Sequence, residues 1–237
     1  MPRIIQGQPS SRELREQIAA SGKPVLVTFS RGKDSLAAWQ ACREAGIECH
    51  AFHLDPVPGL KFIDDSLAVY EDLFGQRIHR YPAPGFWRML KNKVWQPPER
   101  WEIIEALHIK PMNPTRLEVQ VRRDFGLHED TLVVDGIRAA DSLARHTTIK
   151  QNSMIRRGTH KFAAVGDWET KEVFGFLKDR NIPLPPDYRF WGRTIDTFNS
   201  QTLAVFRDHY PDDFQRILNW FPLADTVFLR AEMGGAA

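Results

Sequence analysis

An open α/β fold, with a mostly parallel sheet flanked by helices, is what this sequence predicts. Short apolar runs rich in β-branched residues read as strands buried on both faces. Segments with helical apolar spacing lie between them, and a polar turn directly follows the first strand. In chain order, Ser10-Ser11-Arg12-Glu13 has capping-box spacing, so a helix is expected to about Ala20, where Ser21-Gly22-Lys23-Pro24 stops it. Val25-Leu26-Val27-Thr28-Phe29 is the first strand. After the turn at 30–35, Ala37, Ala38, Ala41, Cys42 and Ala45 fall on one helical stripe closed by Gly46, and such small residues let a helix lie close to a sheet. The next strand covers 48–55. The alternation continues with a helix over Ser66–Phe74 closed by Gly75 and a strand over Arg77–Tyr81. A helix with capping-box spacing at Thr115-Arg116-Leu117-Glu118, ending near Gly126, and a strand over Thr131–Asp135 complete it.

Two regions break the rhythm. Residues 83–114 carry Pro84, Pro97, Pro98, Pro111 and Pro114, with Pro82 at the edge, and are too long for an ordinary connection, so a lid or insertion is expected. From about Trp168 the chain reads as helices, with Asp167 as the cap of the first, Pro183-Leu184-Pro185-Pro186 as a break, and Pro211 in the first turn of the last. The expected organisation is one domain over 1–190, insertion included, and a helical C-terminal extension over 191–237.

Composition narrows the classes of function. Of 237 residues, 42% are hydrophobic and 26% charged, the profile of a folded chain. Lys and Arg number 32 against 30 Asp and Glu, a net charge of +2, which excludes a globally basic nucleic-acid coat while leaving local patches open. No stretch approaches the roughly 18 apolar residues of a membrane span. Met1–Gly7 has no apolar core of signal-peptide length. Cys42 and Cys49 cannot build a disulfide framework, so a reducing, cytoplasmic setting is expected.

The turn Ser30-Arg31-Gly32-Lys33-Asp34-Ser35 carries the strongest chemical signal. Gly32 lets the backbone approach a phosphate, Ser30 and Ser35 offer hydroxyls, and Lys33 offers a positive charge. The helix that follows offers unpaired N–H groups and the positive end of its dipole. Neither Walker A spacing nor G-x-G-x-x-G is present here. The plainer alternative is a polar turn with a chance glycine. A second group, Gly136-Ile137-Arg138-Ala139-Ala140-Asp141-Ser142-Leu143-Ala144-Arg145, follows the strand 131–135. It sets a glycine and two arginines beyond the carboxyl end of another strand, where Arg138 and Arg145 could clamp a polyphosphate through charge-assisted bonds. Solvated arginines at a helix start are the plainer alternative.

The turn resembles the PP-loop of the adenine-nucleotide α-hydrolase superfamily, S-G-G-x-D-S, with Arg31 where that pattern has glycine. Residues 136–145 resemble the G-x-R-x-x-[DE]-S-x-x-R signature of the phosphoadenosine phosphosulfate (PAPS) reductase-like family within it. Val165–Val173, Asn181–Tyr188 and the strand 48–55 with Asp55, Pro56 and Gly59 are similar to further segments of that family, and the resemblance spans about 24–190. It implies an adenine-nucleotide α-hydrolase-like sheet binding ATP or a related adenine nucleotide, with Lys33, Arg138 and Arg145 acting on the polyphosphate. Around the nucleotide it implies Ser30, Arg31, Gly32, Asp34, Ser35, His53, Leu54, Asp55, Gly136, Ser142, Arg156 and Arg157. Mg²⁺ would bridge phosphates, and Asp34 would either hold that ion or cap the helix. Core packing for Trp168 and Val173, and an ordinary strand end for His53 and Asp55, are the plainer readings.

Thiol chemistry divides that family. Its reductases attack a sulfonyl sulfur with a thiolate near the C-terminus. Here no cysteine follows Cys49, and Trp191-Gly192-Arg193-Thr194-Ile195-Asp196, where the family often has cysteines, has none. Cys42 is expected on a packed helix face and Cys49 at a strand opening, as buried hydrophobes. No iron–sulfur cluster or structural zinc is expected. Lys33-Asp34-Ser35 is more similar to the ATP-using members, in which an oxygen nucleophile attacks the α-phosphorus and pyrophosphate leaves. The expected function is ATP cleavage between the α and β phosphates to activate an unknown acceptor. The alternatives are a PAPS or adenylylsulfate reductase with relocated thiols and a nucleotide-binding regulatory module without turnover.

Residues 85–101 interleave aromatics with Arg88, Lys91, Lys93 and Arg100. Together with Trp95 these are a candidate surface for a single-stranded nucleic acid. The favoured plainer reading packs the aromatics onto the sheet and turns the charges to solvent. A second basic group, Lys150, Arg156, Arg157 and Lys161, matches a segment that is often mobile over the nucleotide in the family. A homo-oligomer or protein partner stays open, and no membrane partner is expected.

Overall fold

The computed structural model describes residues 3–195 and 197–229. Met1, Pro2, Asp196 and the last residues of the expected C-terminal extension, 230–237, lie outside them. Helix α1 (Ser11–Ala20) begins as its sequence requires, with the Ser10 hydroxyl accepting the Glu13 N–H and the Glu13 carboxylate accepting the Ser10 N–H. Strand β1 (Val25–Thr28), α2 (Lys33–Glu44) and β2 (Cys49–Asp55) follow.

Helix α3 (Lys61–Phe74) starts ahead of the expected Ser66. Its N-cap residue, Leu60, has no capping side chain. The cap comes from Asp213 far along the chain, whose carboxylate accepts the N–H groups of Lys61 and Phe62, both at 2.7 Å. No local pattern announces such a cap. Because Asp213 is buried, Asp213→Ala is expected to cost about 2 kcal/mol in a denaturant titration, the range of a lost cap plus two desolvated donors.

Next come β3 (His79–Pro82), α4 (Pro84–Lys91), a 3₁₀ turn at Pro98–Arg100, α5 (Trp101–Ala106) and α6 (Pro114–Asp124). The cap at the start of α6 is Asn113, whose Oδ1 accepts the Arg116 N–H at 2.9 Å, and Thr115 lies inside the helix. Strand β4 is Val133–Asp135, shorter than the expected Thr131–Asp135. It is followed by a 3₁₀ turn (Ala139–Asp141), α7 (Leu143–Asn152), β5 (Ile155–Arg156), β6 (Lys161–Ala163) and α8 (Thr170–Asp179). Glu169, not Asp167, starts α8; Asp167 instead accepts the Ser11 N–H at 2.9 Å at the start of α1. Helices α9 (Asp187–Trp191), α10 (Ser200–His209) and α11 (Pro211–Trp220) complete the chain, with Pro211 in the first turn of α11 as expected. Among the described residues no helix is long and apolar enough to cross a membrane.

The six strands lie in the order β3-β2-β1-β4-β6-β5. β1 pairs in parallel with β2 and β4, β4 pairs in parallel with β6, and β5 is antiparallel to β6. The expected mostly parallel α/β sheet is therefore present, with an added short hairpin edge. From β1 the chain builds outward through β2 and β3, then returns to the other side of β1 for β4. The β1–β4 boundary is thus a topological switch point of the sheet.

The chain forms two compact units. One holds the residues up to His53, Gln76–His79 and Glu118–Pro185; the other holds Leu54–Gly75, Arg80–Leu117 and the residues from Pro186 on. In the first, Leu26, Phe29, Leu36, Trp39, Val133 and Phe162 are buried. Ala37, Ala38 and Ala41 let α2 lie close to its neighbours, α8 among them, and Arg180 closes that pair by forking onto Glu44. In the second unit the core is aromatic. Phe62 meets Phe206 at 5.6 Å and Tyr210 at 4.8 Å, and Phe86 meets Trp220 at 5.0 Å and Phe221 at 5.8 Å.

Within this unit the insertion's aromatics find partners on α11 and just beyond it. Gln96 Nε2 donates to the Trp220 carbonyl at 2.7 Å, Arg100 Nη1 to the Asn219 carbonyl at 3.0 Å, and Trp95 packs on Phe221. Lys93 pairs with Glu105 and lies 5.3 Å from the Trp101 ring. Arg88 and Lys91 are exposed.

Candidate functional site

The register of the central strands builds the site. Leu26 lies opposite Val133 and Val27 opposite Val134, so β1 and β4 deliver their following loops to one edge of the sheet. There the two segments touch. A Cβ on Gly136 would stand 3.0 Å from the Ser35 backbone nitrogen and 3.1 Å from the Asp34 carbonyl carbon. Only a glycine lets the second loop lie this close to the first turn of α2.

A line of alternating charges runs on from that contact. Lys33 Nζ is 2.6 Å from Asp34 Oδ2, and Arg138 Nε is 2.8 Å from Asp34 Oδ1. Arg138 Nη2 is 2.7 Å from Asp141 Oδ1, and Arg145 Nη1 is 2.7 Å from Asp141 Oδ2. Asp141 also accepts the Arg138 backbone N–H at 3.1 Å, and Arg138 Nη1 donates to Thr170 Oγ1 at 3.3 Å. The Arg138 side chain is only 3% exposed, whereas that of Arg145 is 50% exposed. Arg138 therefore ties the two loops together from inside, while Arg145 presents its charge at the surface. Asp141 is the residue the sequence reading passed over. Its place three residues after one arginine and four before the other was the available signal.

Within the phosphate-type turn, the Ser30 hydroxyl donates to the Ser35 hydroxyl at 3.1 Å, and Ser35 donates to the Gly32 carbonyl at 2.9 Å. Gly32 is the N-cap residue of α2, and no side chain caps that end. Asp34 lies inside the first turn with both carboxylate oxygens against cations, so the capping role considered for it is not the one it plays. Arg31 has φ 64° and is 1% exposed. It adopts the left-handed region that a glycine would enter freely, at a cost of about 1 kcal/mol for an L-residue, and its side chain is engaged in the interior.

The remaining expected residues separate into those gathered at this edge and those outside it. Ser142 is the N-cap of α7, accepting the Arg145 N–H at 3.2 Å. Arg156 pairs with Asp135 at the end of β4, and burial holds the Asp135 carboxyl above its usual range against the pull of that arginine. His53 is buried with Nδ1 2.6 Å from the Phe29 carbonyl oxygen, at the end of β1. Leu54 and Asp55 belong to the other unit, where the Asp55 carbonyl accepts the Ala83 N–H at 2.8 Å. Arg157 and Lys150 are exposed, and Lys161 pairs with Glu118, so the basic group 150–161 is dispersed rather than a single patch. Its members sit on α7 and the β5–β6 hairpin.

Among the described residues no group of three or more His, Cys, Asp or Glu side chains is placed to hold a metal. A magnesium ion carried by phosphates needs one or two protein carboxylates and keeps most of its water, and Asp34 would meet that lesser demand once Lys33 turns from its Oδ2 to the phosphates. Both cysteines are free and buried. The neighbouring Cys49 thiol, reinforced by burial, pushes the Cys42 thiol well above its ordinary value, so at neutral pH it is the protonated, non-nucleophilic form. Native protein is accordingly expected to resist a thiol reagent such as DTNB, both cysteines reacting only as denaturant unfolds the chain. Prompt labelling of the native fold would contradict this placement.

No family model matches the chain, and no curated protein matches it. Among solved structures the fold is similar to the NH3-dependent NAD synthetase of Campylobacter jejuni, at 11% identity and a TM-score of 0.45, over 92% of this chain and 93% of that one.

Proposed function

We propose that this chain is an ATP-using enzyme of the PP-loop type, similar in its motifs to the PAPS reductase-like family. In this reading it cleaves ATP between the α and β phosphates and passes the adenylyl group to an oxygen nucleophile. The observation that carries the reading is the seating of Gly136 on the backbone of Asp34 and Ser35. It joins the turn after β1 to the arginine segment after β4 at a topological switch point, where open α/β sheets take their ligands.

The uncapped start of α2 supplies N–H groups and the positive dipole end for the phosphates. Lys33 and Arg145 supply positive charge, and Arg138 holds Asp34 and Asp141 in place. Asp34 would hold the magnesium ion, which supplies charge neutralisation on the phosphates. As the new O–P bond forms at the α-phosphorus, the Pα–O bond breaks and its electron pair leaves on pyrophosphate. Cations placed where that charge develops are the chief catalytic contribution available here. The reductase alternative has only two buried thiols to draw on.

The test is release of AMP and pyrophosphate from ATP and Mg²⁺ against a panel of metabolites and nucleic acids, with Lys33→Ala as control. Release that depends on an acceptor and falls about a hundredfold in the variant supports the reading. Tight ATP binding with no release under any acceptor would make the protein a binding module.

A further inference from the structure

A cavity of about 530 Å³ opens in the first unit between the start of α1 and one face of α8. Arg15 lines it and is only 8% exposed. Its Nη1 donates to Ser11 Oγ at 3.1 Å and to the Ala164 carbonyl. Among the described residues Arg15 makes no ion pair, and its Nε and Nη2 make no hydrogen bond. Asp167 is buried nearby, with Oδ2 accepting the Ser11 N–H and Oδ1 making no hydrogen bond among the described residues. The guanidinium is nearly buried and has no bonded carboxylate, and the two donors without a protein partner keep contact with solvent, where a bound carboxylate is a stronger acceptor than water. Burial accordingly pulls the Arg15 pKa below its ordinary value.

The rest of the wall defines what that acceptor is attached to. Trp168 and Phe176 meet edge to face at 4.8 Å, the Arg180 guanidinium carbon covers one face of Phe176 at 3.6 Å from its centre, and the Arg15 guanidinium carbon lies 5.5 Å from the centre of the Trp168 ring. A Cβ added to Gly175, beside Phe176, would meet no atom within 4 Å, so the cavity is unfilled there. Arg12 and Arg180 in the lining are paired with Glu16 and Glu44, while Glu172 and Asp179 add negative charge that disfavours a multiply charged anion. The volume falls in the range of small-molecule sites, roughly 300–1,000 Å³.

We propose that this cavity binds a small aryl monocarboxylate, its ring against Trp168 and Phe176 and its carboxylate on the Nε–Nη2 edge of Arg15. The site is separate from the phosphate turn and stands whether or not ATP is the substrate there.

Benzoate is the probe, with benzamide as the uncharged isostere, each titrated into the full chain by calorimetry and saturation-transfer NMR. Benzoate is expected to bind, and benzamide to bind at least about tenfold more weakly, one charge-assisted contact's worth. Gly175→Leu fills the space from a half-buried position on α8 and leaves the Arg15 side chain itself in place. It is expected to weaken benzoate by about tenfold or more while the circular dichroism and melting temperature stay at wild-type values. Arg15→Gln is expected to abolish binding where it folds, and Gly175→Leu decides the matter if it does not. The proposal is overturned if wild-type protein fails to bind benzoate at millimolar concentration, if benzamide binds equally well, or if Gly175→Leu leaves benzoate affinity unchanged.

Discussion

Arg138→Met is expected to destabilise the protein by about 3 kcal/mol and to abolish ATP binding. The substitution keeps much of the side-chain volume but removes the guanidinium that bridges Asp34 and Asp141 at 2.8 and 2.7 Å. Breaking a buried pair by deleting one partner costs about 3–5 kcal/mol. The lower end applies, because the two carboxylate side chains keep 24% and 17% of their exposure and each retains a second cation. Arg145→Ala is the instructive contrast. Its side chain is half exposed, and ion pairs of that kind are worth about 0–1 kcal/mol. Stability should therefore stay close to wild type while ATP affinity falls by about tenfold or more. A denaturant series on the two variants, paired with ATP titrations, separates the tether from the clamp. Equal destabilisation by both would contradict the division of roles.

Gly136→Ala is expected to act at the same contact from the backbone side. The new methyl group would stand 3.0 Å from the Ser35 nitrogen and from Asp34 Cβ, and 3.1 Å from the Asp34 carbonyl carbon. Two of these are backbone atoms of the first turn of α2 and cannot swing aside. Overpacking of this kind costs about 1–3 kcal/mol, here paid largely by displacing the phosphate-type turn. The expected result is a loss of about 2 kcal/mol in stability, with the loss of ATP affinity exceeding what the fraction unfolded explains. A variant with wild-type stability and ATP affinity would show that the approach of the two loops has no function.

Much of this site was legible in the sequence because its signals are local. The turn 30–35 follows an apolar run, the segment 136–145 follows another, and each carries residue types that only an anion site or a chance surface would gather. That β1 and β4 are parallel neighbours was expected only in outline. The pairing of Leu26 with Val133 joins residues more than a hundred positions apart, and no periodicity encodes it. The same reason hid the Asp213 cap on α3 and the Asp167 bond to α1, in each of which a carboxylate accepts N–H groups far away in the chain. It also hid the fate of Arg138, which the motif suggested as a phosphate clamp. Only with Asp34 and Asp141 placed on either side is it evident that its guanidinium lies between two carboxylates of the chain itself. The hairpin β5–β6 escaped because a strand of two residues, Ile155–Arg156, is too short to show alternation. In the second unit, the aromatic and basic residues of 85–101 read equally as a stacking surface or a packing face. Contacts with Phe221, Glu105 and the Asn219 carbonyl give Trp95, Lys93 and Arg100 structural work.

The central claim is that the loops after β1 and β4 act as one grip on a polyphosphate. Amide hydrogen exchange on the full chain, with and without ATP and Mg²⁺ and with AMP as the control lacking the outer phosphates, tests it directly. ATP is expected to slow exchange in residues 32–36 and 136–145 together, and AMP to leave both near their unliganded rates. Protection by ATP of one segment without the other, or equal protection by AMP, would contradict the claim.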